Sequence, residues 1–304
     1  MATPGKVRAL TAAALRRMPL PPPGQDKEDR GRALVVGGSV QVPGAVRLAA
    51  EAALRAGAGK LQVATVRSVA PALALWVPEA LVRGLPEGRD GEIARGHAWL
   101  DEAVDGCAAA LVGPGMRPGA AAAALVRRIA ARMPGTLVLD AGALAADLRA
   151  PAGQPFVLTP HAGEMAGLVD EDKAQVEADP ARFALAWARR SRSVVVLKGV
   201  DTWIADPGGA LWLHRGGVPG LGTSGSGDTL AGIIVGLAAR GADALQAALW
   251  GVAVHAQAGR VLAHSVGTLG FLAREIPAQV PRLLDRMGPA PRHARRRTSA
   301  QRQM

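Results

Sequence analysis

Short runs of Val, Leu and Ala alternate along this chain with longer stretches whose apolar residues recur at helical spacing. The first cycle is Ala33-Leu34-Val35-Val36, a helical stretch from Pro43 to Gly57, then Leu61-Gln62-Val63-Ala64. The pattern returns at Ala109 to Val112 before a helix over Gly119 to Met133, and again at Leu137-Val138-Leu139, Phe156-Val157-Leu158 and Val194-Val195-Val196-Leu197. Continuous apolar runs of this length predict parallel strands buried on both faces. Their alternation with helices predicts an α/β fold, a central mostly parallel sheet flanked by helices. After Lys198 the texture changes. Thr202-Trp203-Ile204-Ala205 and Ala210-Leu211-Trp212-Leu213 are separated by Asp206-Pro207-Gly208-Gly209, the signature of a small antiparallel hairpin. Two helices are expected next, Asp228 to Arg240 and Asp243 to Ala263, with Gly241 stopping the first. Without an internal repeat or a long linker, one domain over residues 27–287 is expected, with an N-terminal extension over 1–26 and a tail over 288–304.

The segment with the most chemical information is Gly220-Leu221-Gly222-Thr223-Ser224-Gly225-Ser226-Gly227-Asp228. Leu230, Ile233, Ile234 and Leu237 follow at helical spacing, so a loop of small residues feeds directly into a helix near Asp228. Bare amides at a helix N-terminus, approached closely where no Cβ intervenes, suit an anion such as a phosphate. Asp228 in that place is either a helix cap or a base that removes a proton from an attacking hydroxyl. A carboxylate beside a phosphate cradle is electrostatically unfavourable unless it has such a task. The spacing is neither that of a P-loop nor that of a dinucleotide fingerprint.

Composition narrows the alternatives. With 304 residues, 49% of them hydrophobic, the chain can bury a substantial core. Tyr is absent and Phe occurs three times, so Leu, Val, Ala and Trp must fill that core. The single cysteine, Cys107, excludes a disulfide framework and reads as a small buried hydrophobe in a strand. His97, His214, His264 and His293 show no metal spacing. The net charge of +11 is partly a tail effect, since no acidic residue follows Asp285 while Arg286, Arg292, Arg295, Arg296, Arg297 and Arg302 accumulate among Pro, Gly, Ser and Gln. Such a tail is expected to stay solvated and to bind nucleic acid only non-specifically. Lys6 and Arg8 precede Leu20-Pro21-Pro22-Pro23-Gly24 rather than an apolar stretch, and no segment approaches the roughly 18 apolar residues of a membrane span. A cytoplasmic location and no membrane partner are expected.

Gly225-Ser226-Gly227-Asp228 before its helix resembles the anion-hole and catalytic-base motif of ribokinase-like enzymes. Thr159-Pro160-His161-Ala162-Gly163-Glu164-Met165 is similar to a segment of one branch, the ADP-dependent NAD(P)H-hydrate dehydratases. Val35-Val36-Gly37-Gly38-Ser39 with Pro43-Gly44-Ala45, Val112-Gly113-Pro114-Gly115, Leu139-Asp140-Ala141-Gly142-Ala143-Leu144 and Lys198-Gly199-Val200-Asp201-Thr202 match the same branch in the expected order. The resemblance covers roughly residues 27–275. Ser224 stands where the family usually has Gly. His255, in Ala253 to Gly259, matches the usual last-helix motif only loosely and is taken as structural.

The resemblance implies a ribokinase-like fold with the hairpin near the nucleotide site. It implies a reaction in which ADP is consumed to dehydrate hydrated NADH or NADPH, leaving AMP and phosphate. Asp228 would be the base, with Gly225, Ser226 and Gly227 as the anion hole, the amides of Ser226 and Gly227 meeting the transferring phosphoryl group. Ala45, Gly115, His161 and Asp228 would contact the hydrate. Lys198, Gly199, Val200, Asp201, Thr202 and Gly227 would hold the nucleotide. Glu164 would hold water around a magnesium ion (Mg2+) carried by the phosphates. No epimerase-like segment precedes the match, so a separate epimerase is the expected partner where one is needed. Self-association into a homo-oligomer is also expected. Two other functions compete: an ATP-dependent kinase of a small vitamin-precursor alcohol on the same fold, and a basic nucleic-acid-binding protein.

Overall fold

The computed structural model describes residues 7–145 and 147–288. Ten strands form one sheet: β1 (Arg8–Ala9), β2 (Arg32–Val36), β3 (Lys60–Val66), β4 (Ala80–Leu85), β5 (Ala109–Val112), β6 (Thr136–Leu139), β7 (Phe156–Leu158), β8 (Val194–Leu197), β9 (Thr202–Ala205) and β10 (Leu211–His214). Between and after them run α1 (Ala12–Arg16), α2 (Pro43–Arg55), α3 (Ala70–Trp76), α4 (Ala98–Asp105), α5 (Ala120–Ala130), α6 (Ala162–Val169), α7 (Lys173–Ala178), α8 (Pro180–Ser191), α9 (Ser226–Ala239), α10 (Ala244–Ser265) and α11 (Ile276–Met287). Across the sheet the order is β1-β10-β9-β8-β7-β6-β5-β2-β3-β4. Only β9 opposes its neighbours, pairing antiparallel with both β8 and β10, as the hairpin pattern predicts.

Alternation along each strand sends side chains to two cores. Val35, Leu111, Val138, Val157 and Val196 face α2, α9, α10 and α11, whereas Leu34, Val112, Leu139, Leu158 and Val195 face α4, α5, α6 and α8. Because both faces are covered, the central strands carry no polar alternation, and this is why they read as continuous apolar runs. Helices α2 and α9 approach closely. A Cβ added at Gly232 or Gly236 would lie 2.3 or 2.4 Å from the carbonyl oxygens of Ala49 and Ala53. Glycine at these positions thus brings the start of α9 beside the start of α2.

Several boundaries differ from the sequence expectation. Cys107 is buried but stands two residues before β5 rather than in it, and burial pushes its thiol up to about 12. The described part of the 1–26 segment joins the body: β1 pairs with β10, and Leu15 on α1 is 1% exposed within the α2–α9 core. The tail expected over 288–304 lies, beyond Gly288, outside the described residues.

Candidate active site

The segments that follow β2, β5, β6, β7 and β8 meet at the carboxyl edge of the sheet, where open α/β sheets bind their ligands. Gly225, at φ +89°, turns the chain into α9. A side chain there would be both strained and within 2.5 Å of Leu48 Cδ1 on α2. Gly225 is therefore the N-cap, and Ser226, Gly227 and Asp228 form the first helical turn. This excludes the N-cap role for Asp228, which stands at the third helical position, within the first turn. A carboxylate there still gains from the helix dipole.

Three charged groups face Asp228, one from each neighbouring element: Asp140 after β6, Lys198 after β8 and Glu164 on α6. Burial, reinforced by Asp140 and Glu164 and opposed by Lys198, pushes the Asp228 carboxyl up to about 7. The Lys198 ammonium donates to Asp140 Oδ1 at 2.9 Å and lies 3.9 Å from Glu164 Oε2. Burial pulls its pKa down, but attraction to Asp140 and Glu164 outweighs this and the net shift is upward, so it stays charged. Asp140, 2% exposed, also accepts from Thr159 Oγ1 at 2.6 Å.

His161 and Glu164 form a reciprocal cap on α6. The Glu164 amide donates to His161 Nδ1 at 3.1 Å, and the His161 amide donates to Glu164 Oε2 at 2.8 Å. The imidazole is thereby fixed, its Nε2 3.7 Å from Glu164 Oε1, at the edge of the cleft. Beside it opens a cavity of about 610 Å³, lined by His161, Lys198, Gly199, Val200, Thr202, His214, Ser226, Gly227 and His255 together with the loop from Gly217 to Thr223. That volume accommodates a nucleotide-sized ligand.

A family model described as NAD(P)H-hydrate dehydratase matches residues 33–282. The chain belongs to this family. It is 67% identical over 282 residues to the ADP-dependent (S)-NAD(P)H-hydrate dehydratase of Xanthomonas campestris pv. campestris, covering 93% of this chain and 98% of that protein. The crystal structure of the ADP/ATP-dependent NAD(P)H-hydrate dehydratase from Bacillus subtilis co-crystallized with ATP/Mg2+ superimposes with TM-score 0.77 at 30% identity, over 92% of this chain and 99% of that one. A ribokinase of Arabidopsis thaliana shares the fold alone, at TM-score 0.53 and 12% identity, over 84% of this chain and 98% of that one. The fold is thus ribokinase-like, as expected. The chain spans about half the length of the bifunctional NAD(P)H-hydrate repair enzymes it also matches.

Among the residues singled out from sequence, this family member gathers His161, Lys198, Gly199, Val200, Thr202, Ser226 and Gly227 around the cavity. Glu164 joins through Lys198 and His161. Ala45 and Gly115 do not line this cavity; they meet at the first turn of α2, where a Cβ at position 115 would sit 2.9 Å from that of Ala45. Asp201 does not line the cavity and faces Arg215 at 4.0 Å. The Ser226 amide, expected to meet a phosphoryl group, instead donates to the Thr223 carbonyl at 3.2 Å. Among the described residues the first-turn amides of Gly227 and Asp228 have no carbonyl partner, though the Asp228 amide also meets its own carboxylate. His255, taken as structural, lines the cavity, and its Nε2 lies 3.1 Å from both Ser226 Oγ and Ser226 O. Burial pulls its pKa down to about 4, so it is neutral at pH 7.

Asp140 and Thr159 had no assigned role from sequence, nor had the cavity residues His214, Val218 and Pro219. A lone Asp after a strand looks like any turn residue, and its partner Lys198 is 58 positions away.

Proposed function

We propose that the chain repairs hydrated NAD(P)H, the (S) form included, by a dehydration driven by ADP. The observation that carries this is a half-buried carboxylate, Asp228, at the amide-rich start of α9 beside the nucleotide-sized cavity and a charged lysine. Asp228 takes the proton of the ring hydroxyl of the hydrate as that oxygen attacks the β-phosphate of ADP. A carboxyl that titrates near 7 is matched to this task. The bond to AMP breaks, and the phosphate ester of the hydrate then expels inorganic phosphate to restore the nicotinamide double bond. The amides of Gly227 and Asp228 and the Lys198 ammonium lie where charge develops on the transferring phosphoryl group. His161, held by its cap, orients the hydrate, Ala45 and Gly115 bound its other side, and Gly199 to Thr202 follow the nucleotide.

Among the described residues no group of three or more His, Cys, Asp or Glu is arranged to hold a metal. Glu164 offers one carboxylate next to the phosphate position. That donor set fits a magnesium ion carried by the phosphates and touched through water, not a protein cage. Such an ion, when bound, neutralises phosphoryl charge; Glu164 holds its water.

The test incubates the purified protein with hydrated NADH and either ADP or ATP, following the return of reduced-nicotinamide absorbance and the release of phosphate. Recovery with a nucleotide, and none without, is the expected result. Nucleotide consumption with a stable phosphorylated alcohol and no recovery would point to a kinase instead.

A further inference from the structure

We infer that Asp140 is a positioning residue for the base: it holds the Lys198 ammonium in an ion pair of its own, leaving the Asp228 carboxylate free to accept a proton. This rests on the assignment of Asp228 as the base in the proposed reaction. The ammonium is within reach of three carboxylates. It contacts Asp140 at 2.9 Å and Glu164 at 3.9 Å, and no ion pair to Asp228 within 4.0 Å occurs among the described residues. Yet Lys198 is close to the start of α9, its Nζ standing 3.2 Å from where a Gly227 Cβ would lie.

What decides between the carboxylates is the anchoring of Asp140. Its Oδ1 also accepts from the Thr159 hydroxyl, and the residue is buried at the end of β6. Glu164 is tied to the α6 cap through the His161 amide. Asp228 has only its own backbone amide, and no anchoring side chain from a neighbouring element among the described residues. An ammonium released from Asp140 would therefore move to the least satisfied carboxylate, and a lysine-paired Asp228 is a poorer base. The groups facing Asp228 are Asp140, Glu164 and Lys198, so Asp140 acts on it in two ways: directly as a like charge, and through Lys198. The second route is the one inferred here.

The two routes separate in a double-variant titration. The side-chain carboxyl carbon of Asp228, assigned by its disappearance in Asp228→Asn, is followed by NMR against pH in the wild type, Asp140→Asn, Lys198→Met and the double variant, without substrate. Asp140→Asn is expected to lower the Asp228 midpoint by about one to three units, the range for a newly paired opposite charge. In the Lys198→Met background the same substitution is expected to lower it by less than half as much. Equal shifts in both backgrounds, or no shift with Lys198 present, would overturn the inference, leaving Asp140 as a direct charge or a packing residue. If Asp140→Asn does not fold, Thr159→Val loosens the same anchor and should shift the midpoint in the same direction by a smaller amount; an unmoved midpoint there also overturns it. Turnover of hydrated NADH with ADP by the wild type is measured separately. Its absence would defeat the functional proposal while the titration still decides the role of Asp140.

Discussion

Asp228 is held where a charge is costly, and that cost is measurable. Its carboxyl ordinarily titrates at 3.8 and in the fold at about 7, so the folded state binds the proton more tightly than the unfolded chain. The stability this contributes is fully present below pH 3.8 and is lost as pH rises through 7. The buried His255 works the other way, because its pKa falls from 6.5 to about 4 and its contribution is lost as pH falls through that range. Subtracting the melting temperatures of Asp228→Asn from those of the wild type isolates the aspartate. The difference should favour the wild type progressively less between pH 4 and 8, and a flat difference would mean an ordinary carboxylate. The same variant should lose roughly 100- to 10,000-fold in turnover, the usual general-base contribution, while ADP affinity by calorimetry holds or improves. Turnover within about threefold of wild type, far short of a general-base effect, would remove Asp228 from the mechanism. Lys198→Met should raise the KM for ADP by roughly 10- to 100-fold, the equivalent of one lost charge-assisted bond, with a much smaller change for the hydrate. The melting temperature should fall too, since the buried Asp140 loses the cation paired with it. A KM change confined to the hydrate would transfer Lys198 to the other substrate.

At the scale of elements, the start of α9 depends on one residue. Gly225→Ala places a Cβ at φ +89° and 2.5 Å from Leu48, so strain of roughly 1–2 kcal/mol plus crowding is expected. Gly167, on the exposed side of α6 with nothing within 4 Å of its added Cβ, is the control, where Ala should stabilise by about 0.5–1 kcal/mol. Melting and turnover on both variants check this, and a Gly225→Ala protein as active and stable as Gly167→Ala would show that the loop does not need its left-handed turn. The same helix shows where sequence reasoning stops. The apolar spacing from Leu230 onward placed α9, but a run of Gly and Ser gave no sign that Ser226 and Gly227 are already helical. Capping therefore stayed open beside the base role for Asp228, which is the third helical residue. Central strands such as β8 were legible because burial on both faces leaves an unbroken apolar run. The edge strand β4, Ala80–Leu85, was not, because its exposed residues and Arg83-Gly84 break the run. Asp140 escaped notice as a site residue for a related reason. Its partners directly follow β7 and β8, and only pairing across the sheet brings them within 3 Å.

Over the whole molecule, the catalytic edge is braced from a distance by the first described residues. The two residues of β1 have no pattern of their own; pairing with β10 makes them a strand, which extends the sheet beyond the hairpin. Behind it α1 drops Leu15, at 1% exposure, into the core shared by α2, α9 and α10. The chain then crosses α10, where the Trp250 indole donates to the Met18 carbonyl at 2.8 Å. A merely appended segment would tolerate truncation of a buried leucine, whereas an integral one would not. Leu15→Ala removes most of a fully buried side chain and leaves a cavity, which costs about 2–5 kcal/mol in a core that cannot collapse onto it. For a chain of this size each kcal/mol lowers the melting temperature by roughly 2–4 °C, so a drop of about 5–15 °C is expected. Turnover at a temperature well below the transition should be unchanged, because Leu15 is absent from the lining of the cavity beside Asp228. Thermal melting followed by intrinsic Trp fluorescence reads the first quantity, and steady-state rates with hydrated NADH and ADP read the second. A melting temperature within about one degree of wild type, equivalent to less than 1 kcal/mol, would show that α1 does not belong to the core and that the sheet stands without it.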